Sequence, residues 1–436
     1  MLYFFMNQHT SEQATFSSLG LTQNLLTQLE KLQFTHPTPI QQKAIPAALK
    51  GDDVVGIAQT GTGKTLAFAL PMIQQIADGL NTGLVVLPTR ELAIQVQEEI
   101  SKVGRYFGLK TAVLIGGASM SLQLQHLRRR PNVIIATPGR LNDHIEQKTV
   151  DLRRVKVLVL DEADRMLDMG FAPQIKRILC VLPKERQTML FSATMPQGIM
   201  QIAQQYMHLP VRVEVAPEGT TAENIEQELF VVSQHEKLTL LEHLLQEYKG
   251  IVLVFSRTKY GAKKITDALH KKGIRAAEIH SNRSLAQRRA ALQGFKDGRY
   301  RVLVATDIAA RGIDVKDIEL VVNYDLPEKA EDYVHRIGRT ARAGKDGKAI
   351  SFAMPDQGYE VTQIEKLIRS QLEIADHPSL SKMSLQKSHA QGSHQRRSSG
   401  PRRSAGRGQY APRGPRRSSP QGRSRGPLRR ERQSSF

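Results

Sequence analysis

The chain has no tryptophan, a single cysteine, and aromatic residues at only 5% of its 436 positions. One cysteine, Cys180, excludes an internal disulfide and fits a reducing compartment. It lies in the helical-looking stretch 175–181, where a buried structural thiol is expected. The thirteen histidines show no HExxH spacing and no CxxC pair exists, so the familiar zinc signatures are missing. No apolar run approaches the ~20 residues of a membrane-spanning helix. The apolar start Met1-Leu2-Tyr3-Phe4-Phe5-Met6 is too short for the core of a signal peptide and no basic residue precedes it; Met6 is an alternative start. A soluble, cytoplasmic protein with no membrane partner is expected. Acidic residues are also in deficit, 42 against 62 Lys and Arg, for a net charge of +20. Residues 381–436 hold 2 Lys, 13 Arg and 1 Glu, so +14 of that charge sits in the tail and +6 in the other 380 residues.

Hydrophobic residues make up 40% of the chain, enough for globular cores, and the length fits two domains plus a tail. Residues 53–58, 83–88, 111–117, 132–138, 155–160 and 187–193 read as short apolar strands. Helical patterns such as 67–77 and 91–107 separate them. A second alternating set runs 225–232, 250–256, 274–280, 300–306, 318–324 and 348–353, with helices such as 260–272 and 286–296 between. Alternating β and α implies right-handed crossovers and parallel sheets covered on both faces. The expected fold class is therefore α/β, with two doubly wound halves at 16–208 and 223–380. A flexible N-terminus spans 1–15 and a linker 209–222, where the apolar pattern lapses. No sequence repeat relates the halves. In 381–436, Arg, Ser, Gly, Pro and Gln dominate. Too little apolar surface remains there to offset chain entropy, so a disordered tail is expected. Its recurrent Arg pairs should bind a polyanion such as a nucleic acid through counterion release, with Tyr410 and Phe436 as its only aromatics.

Two spots carry chemistry. In the first, an apolar strand runs into Ala58-Gln59-Thr60-Gly61-Thr62-Gly63-Lys64-Thr65 and then a helical pattern. Gly61 and Gly63 let backbone N–H groups approach phosphate oxygens, and the helix N-terminus favours negative charge. Lys64 can reach the β- and γ-phosphates of a nucleotide, and the Thr65 hydroxyl can ligate Mg²⁺. The general phosphate-loop pattern opens on Gly, whereas Ala58 stands here. In the second spot, Asp161-Glu162-Ala163-Asp164 ends the apolar run 157–160, and ligands in such sheets bind at the carboxyl ends of strands. Asp161 reads as the carboxylate that organises Mg²⁺, and Glu162 as the group that orients or deprotonates the attacking water. Downstream, Arg339 and Arg342 in His335-Arg336-Ile337-Gly338-Arg339-Thr340-Ala341-Arg342 are three apart. On a helix they would share a face and grip a phosphate chain.

These motifs, with the ones between them, resemble the DEAD-box ATP-dependent RNA helicases, most closely their bacterial RhlE-type branch, over about 16–354. The resemblance implies two RecA-like domains that close over ATP and RNA together. It implies that Gln41, in Phe34-Thr35-His36-Pro37-Thr38-Pro39-Ile40-Gln41, reads the adenine edge, that Phe34 stacks on the base, and that Phe16 is the isolated upstream aromatic. Asp314 would touch the ribose. Pro88, Thr89, Arg90, Gly116, Gly117, Thr137, Arg140, Arg257 and Thr306 would hold the RNA backbone without reading bases. Asp164, Ser192, Thr194 and His335 would couple the nucleotide site to strand separation. The chain departs from the family pattern at Gln33, Ser281, Ala290 and Ala341. Ala290 stands where Arg is expected in a motif supporting the RNA contacts, and Arg288 or Arg289 are its nearest substitutes.

The expected activity is RNA-stimulated ATP hydrolysis with local unwinding of RNA or remodelling of RNA–protein complexes, in ribosome assembly or RNA degradation. Two alternatives stay open on sequence: a DNA-directed helicase on the same frame, and an ATP-gated RNA clamp in which unwinding is incidental.

Overall fold

The computed structural model describes residues 14–59, 61–77, 81–215, 225–310, 315, 317–341, 346–378 and 381–386. Within them lie two seven-stranded parallel sheets. The first contains β1 (Val54–Ile57), β2 (Thr82–Val86), β3 (Thr111–Leu114), β4 (Val133–Ala136), β5 (Val155–Leu160), β6 (Gln187–Ser192) and β7 (Val211–Glu214). The second contains β8 (Ile225–Val231), β9 (Ile251–Phe255), β10 (Ala276–Ile279), β11 (Val302–Ala305), β12 (Ile318–Asn323), β13 (Gly347–Ala353) and β14 (Glu373–Ile374). Their spatial orders are β3-β4-β2-β5-β6-β1-β7 and β10-β11-β9-β12-β13-β8-β14. Counted from its own first strand, each sheet has the same order. The two halves are thus a repeat in topology, although no repeat is visible in the residues.

The strands read as unbroken apolar runs because both faces are covered. In β5, Val157 and Val159 pack into one buried cluster while Leu158 and Leu160 pack into another on the opposite face. In β9, Leu253 and Phe255 serve one face, Val252 and Val254 the other. Successive side chains point to opposite sides of a strand, so a doubly covered strand must be apolar at every position.

Four sequence expectations shift. Val211–Glu214, inside the stretch read as a linker, is the edge strand β7, parallel to β1. It is short and exposed at every position but Val213, which hid its apolar signal. Asp53 fixes it, accepting from Thr188 N at 2.6 Å and His208 N at 2.7 Å. Cys180 is exposed. The helix Ala172–Val181 buries Ile175, Ile178 and Leu179, and position 180 falls off that stripe. The helix after the phosphate loop begins at Lys64, not beyond it. The helix Ala330–Ile337 ends before Arg339. Gly338 is its C-cap, and Arg339 lies in a turn whose N–H bonds Arg336 O at 3.1 Å. Among the described residues no helix is long and apolar enough to cross a membrane.

Candidate functional site

Strand order assembles the site. β5, β6 and β1 are neighbours, so the segments that follow them emerge side by side. Ala58 N donates to Ser192 O at 3.0 Å and Asp161 N to Val86 O at 3.1 Å, which continues the ladder into the loops. Gly61 and Gly63 both have φ of 88°, a region that an L side chain enters only at a cost. A Cβ on Gly63 would also run into the Gln41 amide. Lys64 is buried, and its Nζ donates to Ala58 O at 2.8 Å. The ammonium is held over the loop from which a phosphate would draw it.

Asp161 is wholly enclosed. Burial pushes its carboxyl up to about 6, against the opposing pull of Lys64. Its Oδ1 accepts from Glu162 N at 2.9 Å. Glu162 follows with φ 51° and ψ 49°, in the left-handed region. A non-glycine residue held there stores about 1–3 kcal/mol and persists only where the surroundings dictate it. Its Oε2 accepts from Arg165 Nη1 at 3.1 Å, an ion pair buried on both sides. Asp164 ties this loop to the next strand end. Its Oδ2 accepts from Ala193 N (3.1 Å), Thr194 N (2.9 Å) and Thr194 Oγ1 (3.0 Å), while Asp164 N donates to Ser192 Oγ at 3.2 Å. Movement of either strand end therefore pulls the other.

Across from these groups stands the second half. A cleft of about 760 Å³ is lined by Ala58, Gln59, Asp164 and Thr194 on one side and by Lys329, Asp332, His335 and Gly338 on the other. Lys329 Nζ bridges it to Asp168 at 2.7 Å. Thr60, Asp314 and Arg342, together with tail residues 387–436, lie outside the described residues.

Gln41 and the two aromatics differ in their surroundings. Phe34 is 41% exposed, whereas Phe16 is packed into the first core. Gln41 is buried. Its Oε1 accepts from Thr38 N at 3.0 Å and its Nε2 donates to Gly63 O at 2.9 Å. Each amide atom is thus used once, of the two bonds it can make.

The residues expected to touch RNA follow strand ends, and several brace one another. Thr89 caps the helix Arg90–Gly104. The Arg90 guanidinium covers Gly116 and Gly117, where an added Cβ would meet it. Arg140 Nη1 donates to Ala118 O at 3.2 Å and its Nε pairs with Asp143. Thr137 and Pro88 are buried, Arg257 is exposed, and Thr306 is half-buried at the start of a short helix. Arg257 N bonds Asp325 Oδ2 at 3.0 Å.

Residues 38–202 match the DEAD/DEAH box helicase model, and residues 236–344 match the helicase conserved C-terminal domain. The DEAD-box ATP-dependent RNA helicase CshA of Bacillus cereus is 42% identical over 369 residues, covering 84% of this chain and 70% of that protein. The chain belongs to the DEAD-box ATP-dependent RNA helicases. The ATP-dependent rRNA helicase RRP3 of Candida albicans is 43% identical over 368 residues, with coverages of 84% and 69%. Saccharomyces cerevisiae Dbp5, solved bound to RNA and ADP BeF3, superposes at TM-score 0.76 with 30% identity, over 83% of this chain and 95% of that one. This DEAD-box protein is thus an RNA-stimulated ATPase and RNA helicase on two RecA-like domains, and the DNA-directed alternative falls.

Two side chains of this helicase carry no role in the sequence reading, and a third, Arg288, stands there only as a substitute for Ala290. Arg336 is buried; its guanidinium forks onto Asp307 (2.5 and 2.7 Å), bonds Asn323 Oδ1 and Asp325 O, and stacks on Phe255 at 5.0 Å. It sits three residues after buried Tyr333 and one before buried Ile337, so the inward stripe of the helix already included it. Gln123 holds the loop before Gly116, donating to Ile115 O and Ala118 O at 3.2 Å and accepting from Ile115 N. Arg288 reaches Glu91 of the first half through Nη2 at 2.8 Å, in a buried pair. Glu91 Oε1 and Arg288 Nε have no further hydrogen-bond partner among the described residues. Arg288→Ala should cost the closed arrangement about 2 kcal/mol. The expected readout is a higher RNA concentration for half-maximal ATPase with unchanged basal turnover. An unaltered RNA dependence would show that the pair does not bear on closure.

Proposed function

We propose that the phosphate loop and the Asp161–Asp164 segment form a catalytic half-site that Arg339 and Arg342 complete when the halves close on RNA. The observation that carries this reading is the tie of Asp164 to Ala193 and Thr194 at the rim of a cleft whose far wall holds His335. ATP enters at Gly61–Thr65, and Lys64 exchanges Ala58 O for a phosphate oxygen. Gln41 and Phe34 address the base, with Phe16 acting only through the packing beneath them. Glu162 orients the attacking water and accepts its proton. The arginines neutralise charge on the transferring phosphoryl group.

Mg²⁺ fits this donor set. A carboxylate as enclosed as Asp161 lacks a counter-charge beyond Lys64, and Thr65 adds a hard hydroxyl oxygen. Among the described residues no group of three or more His, Cys, Asp or Glu converges on a metal position. The ion would be held largely by phosphate oxygens and water, and when bound would supply charge to the β- and γ-phosphates.

RNA lies along the strand-end loops that hold Thr89, Arg90, Gly116, Gly117, Thr137 and Arg140, and across to Arg257 and Thr306. These groups hold sugar-phosphate and carry no sequence preference. Closure bends the bound strand, which a duplex does not accommodate, so a few base pairs separate. The clamp reading shares the same closed state. Duplex separation measured beside the lifetime of the RNA complex decides between them: separation faster than RNA release is expected, and a long-lived complex without separation would favour the clamp. The rRNA helicase RRP3 among its relatives points to rRNA as a target, in ribosome assembly; RNA-degradation machinery is the other candidate. A cytoplasmic location and membership of the RhlE-type branch rest on the sequence alone.

The basic tail extends the RNA footprint. Deleting 387–436 should weaken RNA binding and flatten its dependence on salt, because 14 cations are lost. Basal ATP hydrolysis should be unchanged. Equal RNA affinity at low salt for the full and truncated chains would remove the tail from the function.

A further inference from the structure

Arg165 lies directly after the Asp161–Asp164 segment, in the short helix Ala163–Asp168. It belongs to the first half, yet its exposure is only 2%, among the lowest of the large side chains. One guanidinium nitrogen, Nη1, holds Glu162 Oε2 at 3.1 Å. The other, Nη2, is buried and has no hydrogen-bond partner among the described residues. A buried, half-used guanidinium is costly, since it has lost water without a full set of acceptors. Arg165 also lines a gap of about 10 Å³ whose other wall comes from the second half and includes Asp307, Asp332, Arg336 and Arg339. Asp332 is half-buried and lines both this gap and the large cleft.

We propose that Arg165 is a positioning residue for hydrolysis. It fixes the Glu162 carboxylate through Nη1 and engages Asp332 of the second half through Nη2 when the halves tighten. The guanidinium suits this task because its planar fork can hold two acceptors in fixed directions, which an ammonium cannot. Three features meet only under this role. The Glu162 carboxylate is held by one guanidinium nitrogen, the hold is an ion pair shielded from water, and Arg165 lines a gap shared with the other half. Closure then does more than deliver Arg339. It also sets the angle of the carboxylate that handles the water, so the same movement readies both sides of the reaction.

This inference rests on the reading of Glu162 as the group that handles the water, and the test separates the two. Arg165→Leu removes the fork at similar bulk, Arg165→Lys keeps the charge without the geometry, and Glu162→Gln tests the underlying reading. Arg165→Leu should lower RNA-stimulated kcat by roughly 10–100-fold, the loss expected of a misplaced catalytic group. KM for ATP and affinity for single-stranded RNA should stay at wild-type values, while Tm falls because the buried Glu162 carboxylate loses its counter-ion. Arg165→Lys should fall in kcat as well. Adding Asp332→Asn to Arg165→Leu should cost less than the two single losses multiplied together. Wild-type kcat in Arg165→Leu, beside an inactive Glu162→Gln, overturns the role of Arg165 alone. Turnover persisting in Glu162→Gln overturns the reading beneath it. A parallel drop in nucleotide binding, with Arg165→Lys rescuing kcat, would make Arg165 a packing residue. Independent effects of Arg165 and Asp332 would remove the contact across the gap.

Discussion

Glu162→Gln should stop turnover while ATP and RNA binding persist. The substitution keeps the side-chain volume, and an amide oxygen can still accept from Arg165 Nη1, now 3.1 Å from Glu162 Oε2. The backbone is held from outside the residue: Glu162 N donates to Asp161 Oδ1, and Met166 N bonds Glu162 O. What is lost is the capacity to take a proton from water. Removing a positioned general base costs roughly 10²–10⁴-fold in rate, and kcat for ATP should fall by that amount. Because nothing in the phosphate loop changes, nucleotide affinity should match wild type. RNA captured in the presence of ATP should then dissociate slowly, since hydrolysis no longer reopens the cleft. Steady-state ATPase beside an RNA-release chase measures both halves of the expectation. Near wild-type turnover would assign the proton to another group. Loss of ATP binding would mean that the charge of Glu162 helps to build the site.

Arg336→Leu should unfold the second half rather than disable it selectively. The guanidinium joins Asp307 after β11, Asn323 at the end of β12 and Asp325 just beyond it, over the face of Phe255 at the end of β9. Three adjacent strand ends meet at one cation. Removing it leaves the Asp307 carboxylate without its counter-ion, along with an amide oxygen and a carbonyl that lose their donor. Breaking a fully buried pair from one side costs about 3–5 kcal/mol; with Asp307 23% exposed the cost falls below that range but is still a large share of a domain's stability. The expected outcome is an early melting step in the second half, with the first half melting as in the parent protein. Arg336→Lys should recover part of the loss, because it restores the charge but not the fork. Arg336→Leu/Asp307→Leu should recover more, because it removes the stranded carboxylate. A single unshifted transition in Arg336→Leu would show the cluster to be solvated and of little weight.

Much of the site was legible because its chemistry is local. Gly61-Thr62-Gly63-Lys64-Thr65 follows an apolar strand, and a phosphate loop needs little more than small residues, a cation and a helix start. Asp161 and Glu162 were legible for the same reason, as carboxylates at the carboxyl end of a buried strand. Less was legible where a partner is far away in sequence. Arg288 meets Glu91 across 197 positions, so spacing at Gln287 and Ala290 could not reveal it. Arg339 was placed on a helix by its i, i+3 spacing with Arg342, but Gly338 ends that helix one residue earlier. Cys180 was misjudged because an apolar stretch does not state which side of the helix faces the core.

By itself, the sequence determined that there are two α/β halves, where twelve of their strands run, and which residues are candidates to handle phosphate and water. Strand periodicity, glycine placement and side-chain chemistry are properties of neighbouring residues, and they survive without a fold. Tertiary structure alone decided that both sheets share one strand order, that Val211–Glu214 closes the first, and that β5, β6 and β1 stand side by side. It alone turned Arg165 inward beneath Glu162 and faced it with the other half. Those facts depend on which distant segments exclude water from one another, and that is settled only when the whole chain has packed.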